Sequence, residues 1–169
     1  GKQYPIYARR RGTMSAPEQV TLDLNVMGEG RPFIAISAYT PGDDGRRLAY
    51  AVDTTGFRQY VLFVKDLTSG KVSAPLANRV TSVAWFTDGS TLFFTQEDSV
   101  TKRSHRLYRH DLATGRQELI YEEPDELYEV NALRTRSKGY ILALIESATT
   151  TEVRYLRADR PHDTLRIMA

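Results

Sequence analysis

Cysteine is absent from this chain of 169 residues, which excludes disulfides and Cys-ligated zinc or iron–sulfur sites. Long apolar runs are absent as well. No stretch approaches the roughly 18–20 residues that a membrane-spanning helix needs. The opening GKQYPIYARRRG has no apolar core behind its charges, so it does not read as a secretory signal. These absences fit a cytoplasmic protein with no membrane partner. Charge of one sign is also lacking. Lys and Arg number 23 against 21 Asp and Glu, a net +2 that is weak support for nucleic acid. Tryptophan occurs once, against 10 Tyr and 6 Phe.

What is there is a rhythm. Hydrophobic residues make up 41% of the chain, enough for one core of ordinary size. They cluster in short β-branched and aromatic runs, and Gly, Pro, Asp and Asn punctuate those runs closely. That is an all-β pattern. Tyr4–Arg10 reads as a strand, and Gln19–Leu24 alternates, with Val20, Leu22 and Leu24 on one face and Thr21 and Asp23 on the other. Asn25–Arg31 is a loop or short helical turn.

A repeat then begins. Its first copy has strands at Phe33–Tyr39, Arg47–Asp53, Gln59–Asp66 and Lys71–Pro75. The second has them at Ser82–Phe86, Thr91–Glu97, His105–Asp111 and Gln117–Glu122. Asp44-Gly45 and Asp88-Gly89 mark the first turn of each copy, since Asx-Gly supplies the positive φ of tight hairpins. Asp66 to Asp111 and Gly70 to Gly115 are each 45 apart. A period in the forties fits four-stranded propeller blades. A third, degraded copy has Glu129–Arg134, Tyr140–Glu146, Glu152–Ala158 and Thr164–Met168, with Ser137-Lys138-Gly139 in place of Asp-Gly.

The expected fold is all-β: a partial β-propeller of about three four-stranded antiparallel blades plus two leading strands. Residues 1–169 form one domain, with leading strands and loop at 1–32 and blades at 33–79, 80–127 and 128–169. Strands such as Tyr60–Val64 and Tyr140–Ile145 are apolar on both sides, as expected where each blade packs between two others. An arc of this length leaves blade faces and strand edges open, so it is expected to belong to a larger ring, or to self-associate into one.

Chemistry-bearing clusters are scarce. No Gly-x-Ser-x-Gly elbow exists, so no catalytic residue is expected. Ser104, His105 and Asp111 are close in sequence, but successive strand side chains point to opposite faces, which is not triad geometry. His105 and His110 are five apart, hence on opposite faces and about 17 Å apart at strand rise, so they do not chelate one ion. They are expected at the surface or in interstrand hydrogen bonds, with His162 in a turn. No metal site and no cofactor is expected. The acidic run Glu122–Glu126 and the basic Arg9–Arg11 both read as solvated surface.

Several segments resemble the propeller domain of the oligopeptidase B (protease II) group of the prolyl oligopeptidase family of serine peptidases. They are GKQYPIYARRRG at 1–12, LAYAVDTTGFRQYVLFVKDL at 48–67, VTSVAWFTDGSTLFFTQEDSVTKRSHRLYRH at 80–110, LIYEEPDELYEV at 119–130 and SATTTEVRYLRAD at 147–159. The turn Thr40–Gly45 departs from that pattern, being wider than the usual Ser-Pro-Asp-Gly. The resemblance implies a seven-bladed propeller capping an α/β-hydrolase domain that carries a Ser-Asp-His triad. The propeller would admit short peptides, exclude folded proteins and gate the site by opening and closing. It implies that Arg58, just before the third strand of a blade, forms a salt bridge to the hydrolase domain. On this reading the chain is a non-catalytic propeller fragment, and its partners are that hydrolase domain and, in the full enzyme, peptide substrates. The alternative is a free-standing propeller-type module that binds a protein partner.

Overall fold

The turns act where the repeat puts them. In the computed structural model, which describes residues 3–168, β1 (Ile6–Arg10) and β2 (Glu18–Asp23) pair as an antiparallel hairpin. A short helix, α1 (Leu24–Met27), follows, with the Asp23 carboxylate accepting from the Asn25 N–H at its start. Three four-stranded antiparallel sheets come next, each threaded in chain order. The first blade is β3 (Ala35–Pro41), β4 (Arg47–Asp53), β5 (Val61–Asp66) and β6 (Ala77–Asn78). The second is β7 (Val80–Trp85), β8 (Thr91–Glu97), β9 (Ser104–Asp111) and β10 (Gln117–Glu122). The third is β11 (Glu129–Arg134), β12 (Tyr140–Glu146), β13 (Thr151–Arg157) and β14 (Arg166–Ile167).

The sequence period is reproduced bond by bond. The Asp66 carboxylate accepts from the N–H groups of Thr68 and Ser69, and Asp111 accepts from Ala113 and Thr114. Gly70 N–H donates to the Asp66 carbonyl and Gly115 N–H to that of Asp111, both at 2.8 Å. The first turns also match. Pro41 pairs with Leu48, Trp85 with Leu92 and Arg134 with Ile141, so the three turns have equal length. The Thr40–Gly45 turn is therefore no wider than its counterparts. Gly45, Gly89 and Lys138 occupy the same left-handed position, with φ of 65°, 67° and 62°. For lysine that conformation costs about 1–2 kcal/mol, which the glycines avoid.

Burial on both faces explains the doubly apolar strands. Even-numbered residues of β4 (Leu48, Tyr50, Val52) pack with Leu22, Leu24 and Ile34 beneath the leading hairpin. Odd-numbered Ala49 and Ala51 pack with Leu62 and Val64 against Val83, Trp85, Leu92 and Phe94 of the second blade. Phe86, Phe93 and Leu107 then meet Val130, Ile141, Ile145 and Leu156 of the third. Small alanines on one side receive large aromatics from the other, which is how neighbouring blades interdigitate. Trp85 seals the first contact, with its Nε1 donating to the Thr40 carbonyl at 2.8 Å. The stacking order is hairpin, first, second, third blade. No described element covers the far side of the third blade, where Leu133, Leu142 and Tyr155 lie in one cross-strand row.

Three local expectations change. The fourth strand of the first blade is Ala77–Asn78 rather than Lys71–Pro75. Ser73 and Leu76 N–H groups still reach Val64 and Leu62 carbonyls, but Pro75 has no N–H to give, so regular pairing resumes after it. In β2 an extra residue, Thr21, bulges opposite the Tyr7–Ala8 step of β1 and breaks the alternation. Thr21 turns inward and is fully buried, its hydroxyl on the Tyr7 carbonyl and the Tyr39 hydroxyl, while Val20 is left exposed. The third blade, degraded in sequence, is a complete sheet with a short last strand.

Candidate interdomain face

A blade has two ends. The β3–β4, β7–β8 and β11–β12 turns lie at one, here the Gly45 end. The β4–β5, β8–β9 and β12–β13 turns lie at the other, the Arg58 end, together with the loop from β10 to β11. The three blade turns at the Gly45 end are polar, and the exposed apolar tip there is Met14 of the β1–β2 turn, at 85%. The Arg58 end is tipped with exposed apolar side chains: Phe57 at 73%, Val100 at 85% and Leu127 at 77% exposure. A single exposed apolar residue is ordinary surface, but these three share one end of the blades. Sequence reasoning missed them, because a single apolar residue in a turn belongs to no periodic pattern.

Arg58 sits among these tips on a preset turn. Asp53 is buried at the end of β4. Its Oδ1 accepts from Thr55 N–H at 2.8 Å and Thr55 Oγ1 at 2.6 Å, and its Oδ2 from Arg58 N–H at 2.8 Å. Burial pushes the Asp53 carboxyl up, but the hydrogen bonds of Thr55, Arg58 and Gly56 outweigh it and hold it below the usual carboxylate range. Gly56 and Arg58 both take positive φ, 80° and 58°. The guanidinium is exposed and makes no hydrogen bond or ion pair among the described residues. The turn is thus fixed at its root while its cation is free to meet a carboxylate, a geometry in which arginine's planar fork pairs bidentately.

Further round the same end, a cleft of about 730 Å³ opens between the second and third blades. Asp98, Glu126, Glu129 and Glu146 line it, with Arg103 and His105. Glu129 and Glu146 are direct cross-strand partners, an unfavourable like-charge pair. Arg103 ties the neighbouring loops together by donating to the carbonyls of Glu123, Asp125 and Tyr128. Asp98 accepts from the N–H groups of Thr101 and Val100, which lower its carboxyl to about 2.

The remaining candidates resolve separately. Ser104 is buried, with its hydroxyl on the Val130 carbonyl and Thr81. His105 Nδ1 meets the Arg103 carbonyl, and Asp111 caps its own turn, so the three do not converge. Both strand histidines are buried rather than at the surface, each on its own face; burial lowers the pKa of His110. Within the acidic run, Glu123 is buried rather than solvated. It accepts from the Tyr121 hydroxyl and the Asp125 N–H, while Arg154 stacks 4.3 Å over the Tyr121 ring. Arg9 is structural too, donating to Gln19 and to the Gly45 carbonyl, whereas Arg10 pairs with Glu18. Among the described residues no group of three or more His, Cys, Asp or Glu is placed to hold a metal ion.

Four-stranded sheets stacked face to face around a concave side, with β3 against β7 and β7 against β11, define a run of propeller blades. The match to known proteins then places the run. The family model for the prolyl oligopeptidase N-terminal beta-propeller domain matches residues 1–169, and the chain belongs to that family. It is 34% identical over 179 residues to dipeptidyl aminopeptidase BI of Pseudoxanthomonas mexicana, covering 95% of this chain and 25% of that protein. It is 31% identical over 180 residues to protease 2 of Moraxella lacunata, covering 99% of this chain and 26% of that protein. The fold superposes on oligopeptidase B from Leishmania major with a TM-score of 0.84 at 24% identity, over 100% of this chain and 25% of that one. Oligopeptidase B from Trypanosoma brucei, in a closed form with covalently bound antipain, gives 0.82 at 21% identity, over 98% of this chain and 24% of that one. The chain thus spans about a quarter of the length of these proteins.

Proposed function

We propose that this chain is the first part of the propeller of a serine-type oligopeptidase. It does no bond-breaking itself. It limits access of short peptides to a hydrolase domain, and the Arg58 end is the face that closes on that domain. The observation that carries this reading is the unequal pair of ends: exposed Phe57, Val100 and Leu127 with an unpaired Arg58 at one, and three polar blade turns with Met14 of the leading hairpin at the other. Apolar tips beside an unpaired cation suit a partner surface with apolar seats and a carboxylate. The far face of the third blade takes the next blade of the ring or, in its absence, a second copy of this chain.

The test is Arg58→Ala in the full-length protein. Loss of one interdomain ion pair shifts the open–closed balance, read by small-angle scattering, and changes kcat/KM. An unchanged balance and an unchanged kcat/KM would remove Arg58 from the gate. The free-standing binding module remains the second reading. Coding sequence beyond Ala169 with more blades and a Gly-x-Ser-x-Gly elbow favours the peptidase; a stop codon there favours the module.

A further inference from the structure

Asp43 lies in the first turn of the first blade, at the Gly45 end. Its carboxylate reaches across to the third blade. Oδ2 is 2.8 Å from Arg134 Nη2 and Oδ1 is 3.0 Å from Lys138 Nζ. The second blade stands between and supplies neither partner. At the equivalent turn position it has Thr87, which bonds to the Ala158 carbonyl instead. Arg134 is held in place, since its Nε and Nη2 also donate to the Lys138 carbonyl at 3.1 and 2.8 Å. Its side chain is 13% exposed and that of Asp43 33%, so this pair is more shielded than an ordinary surface pair. Burial pushes the Asp43 carboxyl up, but Lys138 and Arg134 outweigh it and keep it below the usual carboxylate range.

The bridge crosses a cavity of about 630 Å³ on the concave side, whose walls are β3, β7 and β11. Tying the first blade to the third over the second fixes the curvature of the arc at this mouth. Lys138 reinforces the point: it stands where the other blades use glycine, accepting left-handed strain at a position from which its ammonium reaches Asp43. We propose that Asp43, Arg134 and Lys138 form a clasp across the mouth of the axial channel, setting its width and so the size of peptide that passes. The consequence for peptides rests on the gating function proposed above; the clasp itself does not.

The experiment uses the full-length protein with spin labels at Arg46→Cys and Arg136→Cys, exposed sites on the first and third blades outside the clasp. Asp43→Asn keeps the side-chain shape and removes the charge. The label distance is expected to lengthen and broaden. The reversed set, Asp43→Arg with Arg134→Glu and Lys138→Glu, is expected to narrow it again. In parallel, kcat/KM for a long unstructured peptide relative to a short one is expected to rise roughly threefold or more in Asp43→Asn and fall back in the reversed set. An unchanged distance distribution in Asp43→Asn overturns the clasp. A wider distance with an unchanged ratio leaves the clasp standing, and refutes the idea that peptides pass this mouth.

Discussion

Replacing Asp53 with alanine removes one buried acceptor from three donors: Thr55 N–H at 2.8 Å, Thr55 Oγ1 at 2.6 Å and Arg58 N–H at 2.8 Å. Hydrogen bonds to a charged group contribute about 1.5–3 kcal/mol each. These three share one side chain, and water reaches the freed donors at the exposed turn, so they do not add. The expected loss is about 2–3 kcal/mol, or roughly 4–12 °C in Tm at about 2–4 °C per kcal/mol for a domain of this size. Arg58→Ala, which leaves the root of the turn intact, should stay within about 0.5 kcal/mol of wild type. The assay is thermal unfolding by circular dichroism at neutral and acid pH. The Asp53 carboxyl is held below its ordinary value in the folded state. Its contribution is therefore full above the unfolded value near 3.9 and is lost as pH falls through the folded one, so the gap between wild type and Asp53→Ala should close in acid. An Asp53→Ala loss below about 0.5 kcal/mol, or a gap that widens on acidification, would refute the account of this turn.

Two further predictions test the packing. Trp85→Phe removes the Nε1 bond to Thr40 and leaves a void between the first two blades, for an expected loss of about 2–3 kcal/mol by denaturant unfolding. Burial, then the hydrogen bond and charge of Glu123, raise the Tyr121 phenol to about 12. Glu123→Gln should bring it down part of the way, since burial remains; alkaline absorbance titration of the variant against wild type reads the difference.

Much of the fold was legible because turn chemistry is local. Asp66 and Asp111 cap identical turns, and Gly45 and Gly89 sit where positive φ is required, so spacing alone located the blades. Strands Arg47–Asp53, Thr91–Glu97, Gln117–Glu122 and Tyr140–Glu146 have the limits the sequence implied. What escaped was non-local or aperiodic. The bulge that turns Thr21 inward leaves no mark in an alternating run. The partners of Asp43 lie two blades away in sequence, and Ser137-Lys138 replaces Asp-Gly at the matching turn without changing its geometry. Glu123 looked like one acid among several until the fold set Tyr121 beside it. For Arg58 the sequence located the turn, while the buried Asp53 that fixes it became evident only from the packing of β4.

The central claim, that the Arg58 end closes on a hydrolase domain, is most directly tested by hydrogen exchange on the full-length protein, with and without a covalent inhibitor of its serine. The account predicts slower exchange in the turns at 53–60, 97–104 and 122–129, with the Gly45-end turns at 42–47, 86–91 and 135–140 unchanged. Protection confined to the Gly45 end, or none at either, would contradict it.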